Sequence, residues 1–365
     1  MPKRTSALIL FICLLLCLLI LITQDSVADT GGTGPAGAQA SVGGRQKAGV
    51  GQTDEQDGLP FIRLDRDDPD AWKGKLHNLR ILTGNLYKHG KVKSKYNIDP
   101  DFVPSDSGLS SLNISGSAQF SEPQFRELAE TLRGCAPGKC VVVVDLRQES
   151  HGLINGIPVS VYGLNNWANA GMSLEEIEKD EQECFGSLVG EVIRVYPGTD
   201  DGAAGTGIEL SVEQFMTEKK LVENEGFGYY RLPIQDHTWP TAEQLDDFIA
   251  FVKELDQEVG PDGIWLHFHC QAGKGRTGIM MMVYDMMRNP QLPMEDILVR
   301  QTMLGGNYPL YTEQSDSYKV PLYEEKARMM PLFYEYVQQQ NGCNYEVPWS
   351  EWLAHASRES GLSGN

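Results

Sequence analysis

From about Phe61 onward, strand-like and helix-like segments alternate along the chain, the pattern of an α/β domain. Val141-Val-Val-Val-Asp145 is apolar without alternation, which predicts a strand buried on both faces of a parallel sheet. Ile264-Trp-Leu-His-Phe-His269 predicts a second buried strand, and the run from Thr277 to Met287 predicts a buried helix whose methionines fill the core. Ser121 is placed to cap a helix reaching Leu132, with apolar positions at Phe125, Leu128, Ala129 and Leu132. Thr241-Ala-Glu-Gln244 is a capping box that opens a helix to about Leu255, with its stripe at Leu245, Phe248, Ile249 and Val252. A helix from about Val320 to Gln340 and a short amphipathic stretch around Trp349–Leu353 close the chain. Between about residues 152 and 225 the pattern is less helical and holds Gly/Pro-rich turns, which predicts a small β-rich insertion. The expected architecture is a central sheet flanked by helices, with that insertion; no internal repeat is visible.

The first 58 residues follow a different pattern. Lys3 and Arg4 precede an unbroken apolar run from Ala7 to Ile22, and Ser26-Val27-Ala28 offers the small residues of a cleavage site. The run is 16 residues long, short of the roughly 20 needed to span a bilayer. Residues 1–28 therefore read as a signal peptide, with an uncleaved membrane anchor as the alternative. Residues 29–58 read as a flexible Gly/Ala-rich linker, leaving one folded domain over 59–365 and an exported, periplasmic or secreted protein. Gly32-x-Gly34-x-x-Gly37 has the spacing of a dinucleotide fingerprint, but no strand precedes it and no helix follows.

Composition narrows the partners. A formal charge of −19, from 31 basic and 50 acidic residues, excludes the basic surface of a nucleic-acid binder. Any attraction for anions must be local, focused by a few Lys and Arg. Five of the seven cysteines lie beyond the leader, and an odd number in an exported chain leaves at least one thiol unpaired. Cys135 and Cys140 flank a Pro-Gly turn that a disulfide would span, an arrangement the sequence leaves open.

The chemistry centres on residues 269–278, His-Cys-Gln-Ala-Gly-Lys-Gly-Arg-Thr-Gly. A strand, a Gly-rich turn and a helix N-terminus form an anion site in which backbone N–H groups and the helix dipole converge. A cysteine there, Cys270, ionises readily to a nucleophilic thiolate, and an arginine, Arg276, can grip two phosphate oxygens. The loop between them is Gln271, Ala272, Gly273, Lys274 and Gly275. A nucleotide P-loop requires Lys next to Ser/Thr, and here Gly275 and Arg276 intervene. A departing alkoxide needs a proton donor, and Asp236, after a short apolar strand and before Thr238-Trp-Pro240, is suitably placed at a strand end. No His/Asp/Cys cluster has metal-ligand spacing, so neither metal nor other cofactor is expected.

Cys270–Gly278 resembles the Cys-x5-Arg signature loop of the protein-tyrosine-phosphatase superfamily. Asp236-His-x-Trp-Pro240, Asp145-Leu-Arg-Gln-Glu-Ser-His-Gly152, Asn155-Gly-Ile-Pro158, Asn113-Ile-Ser-Gly-Ser117, Gly305-Gly306 and Pro348-Trp-Ser-Glu-Trp352 are similar to one branch of it. That branch is the bacterial cysteine phytases, or protein-tyrosine-phosphatase-like inositol polyphosphatases, and the likeness spans about residues 75–355. It implies a protein-tyrosine-phosphatase-like fold with Cys270 as nucleophile, Arg276 as phosphate clamp, Asp236 as general acid and Thr277 as a hydroxyl donor to the thiolate. It further implies that Arg80 contacts substrate phosphate, that Glu149 is a pocket acid near the inositol ring, and that His237, Lys319, Tyr323 and Lys326 bind substrate. The i, i+4, i+7 spacing of Lys319, Tyr323 and Lys326 places them on one helical face.

The reaction so implied is hydrolysis of inositol hexakisphosphate and lower inositol phosphates through a cysteinyl-phosphate. Two positions depart from the family: Asn166 stands where an Asp is common, and 197–205 carries acids and glycines where relatives supply basic contacts. Fewer cations would weaken the grip on a hexakisphosphate or shift which ring position enters. Lys274 in the loop also resembles phosphoinositide phosphatases, so a phosphoinositide or phosphoprotein phosphatase is the nearest rival. A non-catalytic module that holds inositol phosphates is the reading from another class. The expected partner is a small polyphosphorylated ring, with no nucleic acid and no stable membrane association once the leader is cleaved.

Overall fold

In the computed structural model, the described residues are 61–65, 71–82, 90–199, 202–203, 207–312 and 317–359. The predicted leader (1–28) and linker (29–58) lie outside them. The strands are β1 (Phe61–Leu64), β2 (Arg80–Ile81), β3 (Ile114–Ser117), β4 (Cys140–Arg147), β5 (His151–Ile154), β6 (Ile157–Tyr162), β7 (Val192–Thr199), β8 (Gly202–Ala203), β9 (Ile208–Ser211), β10 (Phe215–Met216), β11 (Gly228–Ile234) and β12 (Ile264–His269). The helices are α1 (Gly90–Lys95), α2 (Glu122–Cys135), α3 (Leu174–Gly186), α4 (Glu218–Asn224), α5 (Ala242–Val259), α6 (Gly275–Arg288), α7 (Met294–Met303), α8 (Val320–Gln340) and α9 (Trp349–Glu359).

The central sheet runs β11-β4-β12-β3-β2. β11, β4, β12 and β3 are parallel neighbours, and β2 closes the edge antiparallel to β3. Its middle strands lack polar alternation because both faces are covered. Val142 and Val144 join the core with Phe248 from α5 and Met280–Met282 from α6, whereas Val141 and Val143 pack with Phe125 and Leu128 from α2. The methionine run of α6 is wholly buried, as its composition predicts. Ser121 and Thr241 each form a complete capping box. The closing helix α9 is longer than its amphipathic signal, and Trp349 anchors it edge-on against Phe333 and Tyr336 of α8.

A second sheet, β10-β5-β6-β1-β7-β8 with β9 on β7, holds the strands between residues 151 and 216. β1, from well before that range, joins it antiparallel to β6 and parallel to β7. The same region contains the 13-residue helix α3, which the sequence pattern does not suggest. Its inward face is only Ile177, Glu181 and Phe185, and the glutamate interrupts the apolar stripe because it is paired with Arg231. The capping box at Ser173 and Glu176 was the available signal. Cys135 is a free thiol, so the Pro-Gly turn closes without a disulfide. Among the described residues no helix is long and apolar enough to cross a membrane.

Candidate active site

Cys270 follows β12 directly and is buried, and α6 begins at Gly275. The N–H groups of the first helical turn have no intrahelical partner, so the positive end of α6 faces the loop. Gly273 (φ +69°) lets the loop press on β3: a Cβ there would lie 2.4 Å from the backbone of Ser117 and Ala118. Gly278 packs α6 closely on Gly306, whose Cα would lie 3.0 Å from an added Cβ. Side chains on the preceding segment hold the loop carbonyls. Asn78 Nδ2 donates to Ala272 O at 2.8 Å, and Arg80 Nη1 donates to Gly273 O at 2.6 Å. Arg80 is thus a buried brace for the loop. Burial pulls its pKa down to about 10, while Cys270 favours its charge. Its Nε and Nη2 have no hydrogen-bond partner among the described residues. Gln271 Nε2 reaches Asp65 O at 3.3 Å, and Lys274 occupies the N-cap of α6.

Arg276 lies in a fork-to-fork pair with Glu149, Nη1 to Oε2 at 2.6 Å and Nη2 to Oε1 at 3.0 Å. Glu149, expected as a pocket acid, is buried and neutralises the Arg276 guanidinium. Burial would raise its carboxyl, but Arg276 and Arg147 outweigh this and hold it far below the usual carboxylate range. Arg147 donates to Glu149 through Nε at 2.8 Å and to Asp65, just after β1, through Nη1 at 2.7 Å. Thr277 Oγ1, expected to donate to the thiolate, is buried with no hydrogen-bond partner among the described residues.

Asp236 stands beside the clamp, Oδ1 being 3.3 Å from Arg276 Nε. It accepts from Asn166 Nδ2 at 2.9 Å and from the His237 N–H at 3.0 Å, and its backbone carbonyl accepts from Trp167 Nε1 at 3.0 Å. Burial raises the Asp236 carboxyl, yet Arg276 and His237 dominate and hold it below its ordinary value. His237 has a left-handed backbone (φ +67°), is half-buried, and has its pKa lowered by burial against the pull of Asp236. α8 lines the same side. Lys326 is buried with Nζ 3.9 Å from the Tyr323 ring, and Lys319 sits at the helix start beside Tyr318. Burial pushes Lys326 down to about 7, although Asp236 attracts its charge.

Behind the loop, Asp145, Glu218 and His269 offer ligand atoms within 4.8 Å of one another. The Asp145 oxygens already accept from Tyr229 OH and the Arg147 N–H, and Arg231 Nε lies 3.1 Å away. With a guanidinium already against it, this is a buried ion-pair network rather than an open cation site. Sequence reading missed this network, along with Asp65, Arg63 and Arg147. A cavity of about 1090 Å³ borders the acid loop at Gln235, Thr238, Trp239 and Pro240, but neither Cys270 nor Arg276 lines it.

A family model described as PTP-like phytase, inositol hexakisphosphate, matches residues 144–288. The fold is similar to the tandemly repeated protein tyrosine phosphatase like phytase from Mitsuokella multacida, at 37% identity over 83% of this chain and 50% of that chain, TM-score 0.73. A PTP-like myo-inositol phosphatase from that organism, in complex with myo-inositol-(1,3,4,5)-tetrakisphosphate, aligns at 37% identity over the same shares, TM-score 0.71. A PTP-like phytase from Bdellovibrio bacteriovorus aligns at 32% identity over 84% of this chain and 99% of that one, TM-score 0.60. The chain spans about half the length of the two Mitsuokella proteins.

Proposed function

Because the chain belongs to the protein-tyrosine-phosphatase-like phytases, we propose that it removes phosphates from inositol polyphosphates, the hexakisphosphate included, through a cysteinyl-phosphate intermediate. The observation that carries the reading is the convergence of Cys270, Arg276 and Asp236 at one helix N-terminus, with Lys326 and Lys319 beside them.

A phosphate entering the loop takes the Arg276 fork and the α6 N–H groups in place of Glu149. Cys270 Sγ then attacks phosphorus in line while Asp236 delivers a proton to the departing ring oxygen. Asp236 rests as a carboxylate because Arg276 and His237 stabilise its charge. An arriving phosphate neutralises that guanidinium and adds negative charge, so Asp236 takes up a proton as substrate binds. In the second step Asp236 accepts a proton from the water that attacks the cysteinyl-phosphate. Charge on the transferring oxygens is held throughout by the loop N–H groups and Arg276, so catalysis rests on positioning and electrostatics.

The bound tetrakisphosphate of the Mitsuokella relative supports a small, multiply phosphorylated ring as substrate class. Lys319, Tyr323 and Lys326 suit the same class, because several cations beyond the clamp are useful only to a ligand with several phosphates. The leader pattern of residues 1–28 supports export, and the reading includes a periplasmic or secreted location. The test is a comparison of phosphate release from soluble inositol hexakisphosphate, phosphoinositide vesicles and a phosphotyrosine peptide. The soluble ring phosphate should be preferred and Cys270→Ser should abolish release; negligible turnover of the ring phosphate would overturn the assignment.

A further inference from the structure

Asn166 lies between one cation and two carboxylates. Its Oδ1 accepts from Arg63 Nη2 at 3.4 Å, while Nδ2 donates to Asp236 Oδ2 at 2.9 Å and to Glu149 Oε1 at 3.2 Å. Arg63 settles the amide orientation, because only the oxygen can face a guanidinium, and the NH2 group must then face the carboxylates. Asn165 and Asn166 are consecutive left-handed residues (φ +60° and +65°), a conformation in which Asn is among the best tolerated side chains. The next residue, Trp167, holds the Asp236 backbone carbonyl. One turn thus grips the proton donor by both main chain and side chain.

We propose that Asn166 is a positioning residue for Asp236: its amide aligns the acid beside Arg276 and keeps two neighbouring carboxylates, Asp236 and Glu149, from sharing a proton. It acts through Asp236, and the inference rests on the phosphatase reading above. The slot requires two donated bonds and one accepted bond. An ionised aspartate here would be acceptor-only and would leave Asp236 and Glu149 without this donor. The arrangement also gives the second sheet a part in the chemistry. β1 supplies Arg63 to Asn166, and the residue after it, Asp65, reaches Glu149 through Arg147.

The groups facing Asp236 come from several elements: Arg276 from α6, Glu149 from the turn after β4, Asn166 and Trp167 after β6, and His237 on its own loop. Lys326 of α8 faces it too, with Lys319 beside Lys326. A carboxylate at position 166 would repel both acids and make Asp236 hold its proton to higher pH.

The test compares two esters on folded full-length variants. The alkoxide leaving from inositol hexakisphosphate needs a proton, whereas nitrophenolate leaving from 4-nitrophenyl phosphate does not. Asn166→Ala should lower kcat on the inositol phosphate by about tenfold or more and on the aryl phosphate by less than about threefold. Asn166→Asp should move the basic limb of kcat upward by about one pH unit. Equal losses on both esters, or an unmoved limb in Asn166→Asp, would overturn the proposal. If Asn166→Ala does not fold, Asn166→Ser carries the same ester comparison. Wild type that cleaves the aryl ester but not the ring phosphate removes the proposed substrate, and the comparison is then run on another alkyl phosphate, such as a phosphoserine peptide. Wild type that cleaves no phosphoester overturns both readings.

Discussion

Arg276 gives both terminal nitrogens to Glu149, at 2.6 and 3.0 Å, and Glu149 Oε1 also accepts from Arg147 Nε at 2.8 Å. The carboxylate occupies the terminal fork, one of the edges through which an arginine can grip a phosphate. Glu149→Gln leaves two buried guanidinium groups short of a counter-charge, which costs about 3 kcal/mol. The same change removes the competitor, so inorganic phosphate should bind about tenfold tighter. Thermal unfolding with and without phosphate checks both, since phosphate should raise Tm more in Glu149→Gln than in wild type. Equal shifts would mean that Glu149 does not compete for the site.

Gly273→Ala should inactivate the enzyme. At φ +69° and with 2.4 Å to the Ser117–Ala118 backbone, a methyl group must push the loop off β3 and carry Cys270 and the helix start out of register. Loss of turnover by about a hundredfold or more is expected, with Tm lowered by only a few degrees. Activity within twofold of wild type would show that the loop can relax around the methyl.

Lys326 is pushed down to about 7 by burial, so its charge is partly lost at neutral pH in the free enzyme. The unfolded chain keeps the proton up to the ordinary lysine range, near 10.4. Unfolding therefore takes up a proton between these values. Stability should rise with pH through that window, and below about 7 the full cost of burying the cation is felt. Binding should change in the opposite sense: KM for inositol phosphates should climb above pH 7 as the cation is lost. Lys326→Arg should postpone that climb to higher pH, which KM measured from pH 5 to 9 would reveal.

His151 carries the converse linkage. Burial disfavours its charge, but Asp145, 3.3 Å from Nε2, outweighs burial and lifts its pKa to about 10. Its contribution to stability is fully present below the ordinary imidazole value of about 6.5 and is lost as pH rises through 10. Urea unfolding of His151→Gln should show a larger deficit at pH 6 than at pH 10; an equal deficit would place the effect in packing rather than charge.

Much of the Cys270–Arg276 half of the candidate site was legible because it is local. Cys270, the glycines and Arg276 lie within one strand–loop–helix unit, where backbone geometry leaves few arrangements. The buried strands and capped helices were readable for the same reason. α3 escaped notice because its apolar stripe contains Glu181, and only Arg231, 50 residues away, makes that glutamate a core residue.

Sequence alone determined the α/β pattern and the strand–loop–helix unit that carries Cys270 and Arg276, since short-range periodicity and spacing encode them. Tertiary structure alone decided what each charge faces. Glu149 meets Arg276 across 127 residues, Arg147 meets Asp65 across 82, and Asn166 meets Asp236 across 70. Burial turns such meetings into large energies, because charges removed from water require specific partners. Those partners are chosen by how two sheets pack, which no local stretch of the chain specifies.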